Sequence, residues 1–121
     1  MQGSLKSEKE SAVDLYGIAV EDIEAARKLI ESILEAELDA HESLYRGGDY
    51  YCKELDDGRL VLQSNKDLLW QDGDPLEERW AEPGFSNYPI LVYVEGHSDS
   101  DRIRSLLTMD NPQIRWLRRD Q

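Results

Sequence analysis

The chain has 121 residues, and 26 acidic against 14 basic side chains leave it a formal charge of −12. At 40% apolar residues it can bury one compact core, and a single domain is expected at this length. No apolar run approaches the roughly 20 residues needed to cross a bilayer, and the acidity opposes direct contact with a nucleic-acid backbone, whose phosphates it would repel.

Residues 1–12 are polar, mixed in charge and without periodicity, so a disordered N-terminal segment is expected ahead of one domain over 13–121. The opening stretch has no apolar h-region, so no secretory leader is expected. VDLYGIAV (13–20) reads as a first strand. In EDIEAARKLIESILEAE, Ile23, Ala26, Ile30, Ile33 and Leu34 share one helical face, with Glu21, Asp22 and Glu24 at the positive end of the helix dipole. Residues 38–46 form a candidate strand, Gly47-Gly48 a tight turn, and 49–55 an antiparallel return. Asp56-Asp57-Gly58 is the next turn and RLVLQSN (59–65) a third strand of the meander.

Residues 66–88 change character, with acidic pairs, Pro75, Pro83 and two tryptophans, and read as a long irregular excursion, in a compact domain usually functional or mobile. PILVYVE (89–95) is almost continuously apolar, as a strand covered on both faces should be. Ser98 is a candidate N-cap with Asp101 three residues on, followed by a helix carrying Ile103, Leu106 and Leu107. Asn111-Pro112 ends it, and Ile114, Trp116 and Leu117 supply a last strand. The order β-α-β-β-β-β-α-β predicts an α+β fold, a mostly antiparallel sheet of about six strands with two helices.

Charge is uneven along the chain. Residues 35–57 carry a net −6 and 66–82 a net −4, whereas 102–121 carry +3. Solubility alone explains an acidic surface, but tryptophans set in an acidic loop also fit a docking face for a basic partner.

No enzyme signature is present: the sequence has no GxGxxG, GxxxxGK[ST], HExxH or GxSxG motif. His41, His97 and Cys52 are the only candidates for thiol–imidazole chemistry, and nothing flanking them supports it. Asp72-Gly73-Asp74 lacks the remaining ligands of a calcium loop. No catalytic residue, metal site or cofactor is therefore expected. A single cysteine forms no internal disulfide and no cysteine-based zinc site, and fits a reducing cytoplasm.

Two resemblances add to this. GIAVEDIEAARKLIESILEAEL (17–38) resembles the opening strand and helix of glyoxalase-type vicinal-oxygen-chelate modules, which use a βαβββ unit. That resemblance implies a small-molecule or metal binder with a cavity lined by His41, Tyr45 or Tyr51, although Tyr16 and Ile18 stand where a ligating histidine would sit.

More broadly, LYGIAV, HESLYRGGDYY, VLQSN and WAEPGFSNYPILVYVEG, in this order and spacing, resemble small bacterial immunity proteins that accompany contact-dependent growth-inhibition and polymorphic toxins. This implies a non-enzymatic cytoplasmic protein that binds and neutralises one cognate toxin domain, often a basic nuclease, as a monomer or weak dimer when alone. Glu54, Asp56, Asp57, Asp72, Asp74, Glu77 and Glu78 would then meet toxin Lys and Arg side chains, with Trp70 and Trp80 as apolar anchors.

Overall fold

The structure is a computed structural model that describes residues 12–46, 48–55, 58–96 and 100–120. The expected N-terminal segment up to residue 11, Gly47, the Asp56-Asp57 turn and the His97–Ser98 cap lie outside these. Strands β1 (Val13–Ile18), β2 (Asp39–Ser43), β3 (Gly48–Leu55), β4 (Gly58–Ser64), β5 (Ile90–Glu95) and β6 (Ile114–Asp120) form one six-stranded sheet in the order β2-β3-β4-β5-β1-β6. Every neighbouring pair is antiparallel. With helices α1 (Ile23–Leu34) and α2 (Ser100–Thr108), this is the expected α+β architecture.

Side-chain alternation divides the sheet into two faces. Tyr16 and Ile18, Leu60 and Leu62, and Ile90, Val92 and Val94 point to one face, where Ala26 and Ile30 of α1 and Ile103 and Leu107 of α2 complete the main core. Asp22 caps α1 by accepting from Glu24 N–H at 3.1 Å. The helix ends at Leu34, inside the EDIEAARKLIESILEAE segment: Glu35 turns left-handed at φ 53°, and the Glu31 carboxylate takes the Leu38 amide at 2.8 Å, drawing the chain toward β2. At the sheet's far edge, Asp14, almost fully buried, holds Arg119 through two bonds of 2.7 and 3.0 Å, and Arg119 also donates to Ser100 Oγ at 2.8 Å. One buried ion pair thereby ties β1, β6 and the start of α2.

The opposite face carries Leu15, Val61 and Leu91, all fully buried although neither helix reaches them. The segment between β4 and β5 covers this face. β5 is therefore covered on both sides, as its unbroken apolar run requires. Contact is close at Gly17, where an added Cβ would lie 2.4 Å from Cγ of Tyr88. The β2–β3 connection also departs from a two-residue glycine turn. Ser43 pairs with Gly48, and Leu44–Arg46 form a 3₁₀ turn in which Ser43 Oγ accepts from Tyr45 N–H.

Gly17→Ala is expected to destabilise the fold by about 1–3 kcal/mol through overpacking. Tyr88→Ala should cost less in the Gly17→Ala background than in the wild type. Urea midpoints of the four proteins test this; additive effects would show that the two positions are not in contact.

Candidate functional site

The excursion between β4 and β5 is folded in two tiers. The lower tier is a clamp on the sheet. Asn65 is fully buried and uses its whole carboxamide: Nδ2 donates to the carbonyls of Phe85 and Tyr88, each at 3.0 Å, and Oδ1 accepts from Glu82 N–H at 2.8 Å. Asn65 N–H donates to Pro89 O at 2.8 Å.

Glu82 then binds downward. Its carboxylate accepts from Tyr93 Oη at 2.8 Å and from Arg118 Nη1 and Nη2 at 3.0 and 3.2 Å. The same Arg118 guanidinium lies 5.9 Å from the centre of the Phe85 ring. Burial, reinforced by the bond to Glu82, pushes the Tyr93 phenol well above its ordinary value, and the bond to Glu82 makes Arg118 more basic still.

The upper tier is a loop closed on itself. Asp67 N–H donates to Arg79 O at 2.9 Å, which ties its base. Within it, Leu69 N–H donates to Asp67 Oδ1 at 2.9 Å and Gln71 N–H to Asp74 Oδ2 at 3.0 Å. Gly73 supplies the turn with a φ of 103°. Trp70, expected as a partner anchor, is half-buried, and its Nε1 donates to Pro75 O at 2.9 Å, so the indole pins the loop internally. Trp80 is also half-buried, with the Arg79 guanidinium 5.3 Å from its ring centre. Asp72, Asp74, Glu77 and Glu78 are exposed along this tier, and Leu76 among them is 65% exposed.

The structure brings together six of the expected partner-binding residues, namely Trp70, Asp72, Asp74, Glu77, Glu78 and Trp80. It does not bring Glu54 to them. Glu54 lies near the end of β3, beside the place where β5 finishes, whereas the loop departs where β5 begins. Asp56 and Asp57 lie outside the described residues. The residues that hold the loop, Asn65, Glu82 and Arg118, were not singled out in sequence; the visible signals were an amide after an apolar strand and one acid among many.

A groove opens between this loop and the β2–β3 turn. One pocket of about 470 Å³ has Gln63 and Tyr93 on its floor and Tyr45, Arg46, Lys66 and Leu69 on its walls. An adjoining pocket of about 340 Å³ reaches Arg79 and Trp80.

The residues suggested for a glyoxalase-like cavity do not converge. Tyr45 belongs to this groove, His41 stacks on Tyr50 with ring centres 5.3 Å apart, and Tyr51 faces the helices, where its hydroxyl bonds Glu24. Cys52 is half-buried, and burial raises its thiol pKa, which disfavours the thiolate. His97 lies outside the described residues. Among the described residues, no cluster of three or more His, Cys, Asp or Glu side chains could hold a metal, and no helix is long and apolar enough to cross a membrane.

No protein-family model, curated protein or solved structure matches this chain.

The Tyr93 clamp has a pH signature. Because the phenol is harder to ionise in the folded state than at its ordinary value of 10, its contribution is complete below pH 10 and declines as pH rises above it. Urea midpoints should therefore fall above pH 10, and Tyr93→Phe, while less stable at neutral pH, should fall less steeply. Parallel curves for the two proteins would show that Tyr93 does not carry the effect.

Proposed function

We propose that this chain is a binding protein of the immunity type, which captures a basic partner domain on the loop spanning residues 67–79 and neutralises it by occlusion. The observation that carries this reading is the pairing of a self-bonded loop with an exposed acidic crest. Backbone, indole and carboxylate bonds hold the loop before any partner arrives, so little ordering entropy opposes docking. Asp72, Asp74, Glu77 and Glu78 remain exposed beside Leu76, which gives charge for steering and an apolar group for the contact itself.

In this mechanism the acidic field raises the encounter rate with a cationic surface, and Leu76 is buried on docking. A basic nuclease is a natural target class, since its substrate cleft is lined by the Lys and Arg side chains such a crest would attract. Trp80 lies at the loop's base, where it supports the crest. A cytoplasmic site of action and a cognate toxin domain as partner belong to the same proposal, and they derive support from the resemblance of the chain's segments to small immunity proteins.

Co-expression with the C-terminal domain of the protein encoded immediately upstream should give co-elution and protect cells from that domain. The association rate should fall about tenfold or more between low and high salt. Asp72→Asn, Asp74→Asn, Glu77→Gln and Glu78→Gln combined should lower it by a similar factor at low salt. A harmless or non-binding neighbour would remove the support for a toxin partner, and a salt-independent rate would overturn the electrostatic mechanism.

A further inference from the structure

In a chain of net charge −12, the groove beside the crest is lined by more basic than acidic side chains among the described residues. Among the described residues, Asp67 is the only acidic one lining either pocket, and one of its oxygens accepts the Leu69 amide at 2.9 Å. Lys66 lines both pockets, is exposed and forms no ion pair among the described residues. Arg46 donates to the neutral Gln63 at 3.1 Å; its nearest carboxylate, Glu95, is 3.8 Å away and is held more closely by Arg59 at 3.2 Å.

Lys66 differs from Arg118 and Arg119, whose guanidinium groups are engaged by Glu82 and Asp14, while Arg46 has a long ion pair to Glu95 and lies 5.6 Å from the centre of the Tyr50 ring. Gln63 is only 4% exposed, yet it lines the pocket, so a buried polar group forms part of the floor. The rim is apolar: Tyr45 is 84% exposed, Leu44 58%, and Leu68 and Leu69 about half. Leu68 lies close enough to Gly48 that an added Cβ there would be 3.2 Å from its methyl carbon, which places the loop's base against the β2–β3 hairpin.

We propose that this groove is an anchor pocket for an acidic side chain of a protein partner, flanked in that partner by a bulky apolar residue. The carboxylate meets Lys66 and Arg46, and the apolar group packs between Tyr45 and Leu69. A cationic occupant would face Arg46 and Lys66 in the first pocket and Lys66 and Arg79 in the second, against Asp67 alone among the described acidic residues. A purely apolar one would cover Lys66 and Arg46 without replacing their hydration. A carboxylate on an apolar neighbour satisfies both parts, and the pocket volumes fall in the range of about 300–1,000 Å³ typical of small-ligand sites.

Docking would then be two-signed: acidic crest on basic surface, basic groove on acidic anchor. Such an arrangement fixes register and rejects partners carrying only the first half. The proposal rests on the reading that the chain docks a protein, but its test uses no natural partner, so groove and crest can fail separately.

The test is an NMR titration of the isotope-labelled full chain with two capped dipeptides, N-acetyl-leucyl-glutamate amide and N-acetyl-leucyl-glutamine amide. Saturable shifts are expected at the amides of Tyr45, Arg46 and Lys66 to Leu69 with the glutamate peptide. Binding of the glutamine peptide should be weaker by about tenfold, equivalent to about 1.4 kcal/mol. Lys66→Glu and Tyr45→Ala, both at exposed positions, should weaken the glutamate peptide to a similar degree, whereas Lys28→Glu on α1 should not. No shifts up to millimolar peptide, equal shifts with both peptides, or shifts mapping elsewhere would overturn the proposal.

Discussion

One side chain makes the second face of the sheet possible. Leu15, Val61 and Leu91 need a cover that no helix supplies, and the cover available is irregular backbone with its own hydrogen-bonding groups to satisfy. Asn65 answers three of those demands at once, for Glu82 N–H and for the carbonyls of Phe85 and Tyr88. A carboxamide is suited to this because it presents donors and an acceptor together. An aspartate of the same shape would set an oxygen against two carbonyls. With Asn65 in place, Glu82 is positioned over Tyr93 and Arg118, and Tyr88 can settle on Gly17.

The charges of the molecule divide according to the same logic. Asp14 and Glu82 are buried or half-buried and are fully engaged by arginines of β6, so the basic C-terminal strand serves the fold. The carboxylates of the crest are exposed, and in the function proposed above they serve binding. Net charge alone does not separate these roles, because a paired internal acid and a free external one count equally.

Much of the architecture is legible in the sequence for physical reasons. The apolar face of α1 follows from the 3.6-residue period at Ile23, Ala26 and Ile30, and the buried β5 from its unbroken ILVYV run. Strand order is not legible, because β1 enters between β5 and β6 through contacts far apart in sequence. The acidic loop was recognisable as a unit, but its internal wiring was not: Trp70 spends its indole N–H on Pro75 O, which composition cannot reveal. The expected acidic surface also divides, since Glu54 and the loop leave opposite ends of the sheet, a consequence of hairpin direction. Leu44 and Tyr45 fall within the strand expected over 38–46, whereas β2 ends at Ser43 and they sit in a 3₁₀ turn that period-2 reasoning does not reveal.

The excursion is a clamped layer, held by hydrogen bonds formed within the chain itself. Native-state hydrogen exchange tests it most directly, at the amides of Glu82, Asp67 and Tyr88, which donate to Asn65 Oδ1, Arg79 O and Phe85 O. Glu82 should be protected to within about 1–2 kcal/mol of the β5 amides, and Asn65→Asp should abolish this protection while the strands keep theirs. Exchange at Glu82 in the wild type as fast as in an unstructured peptide would contradict it.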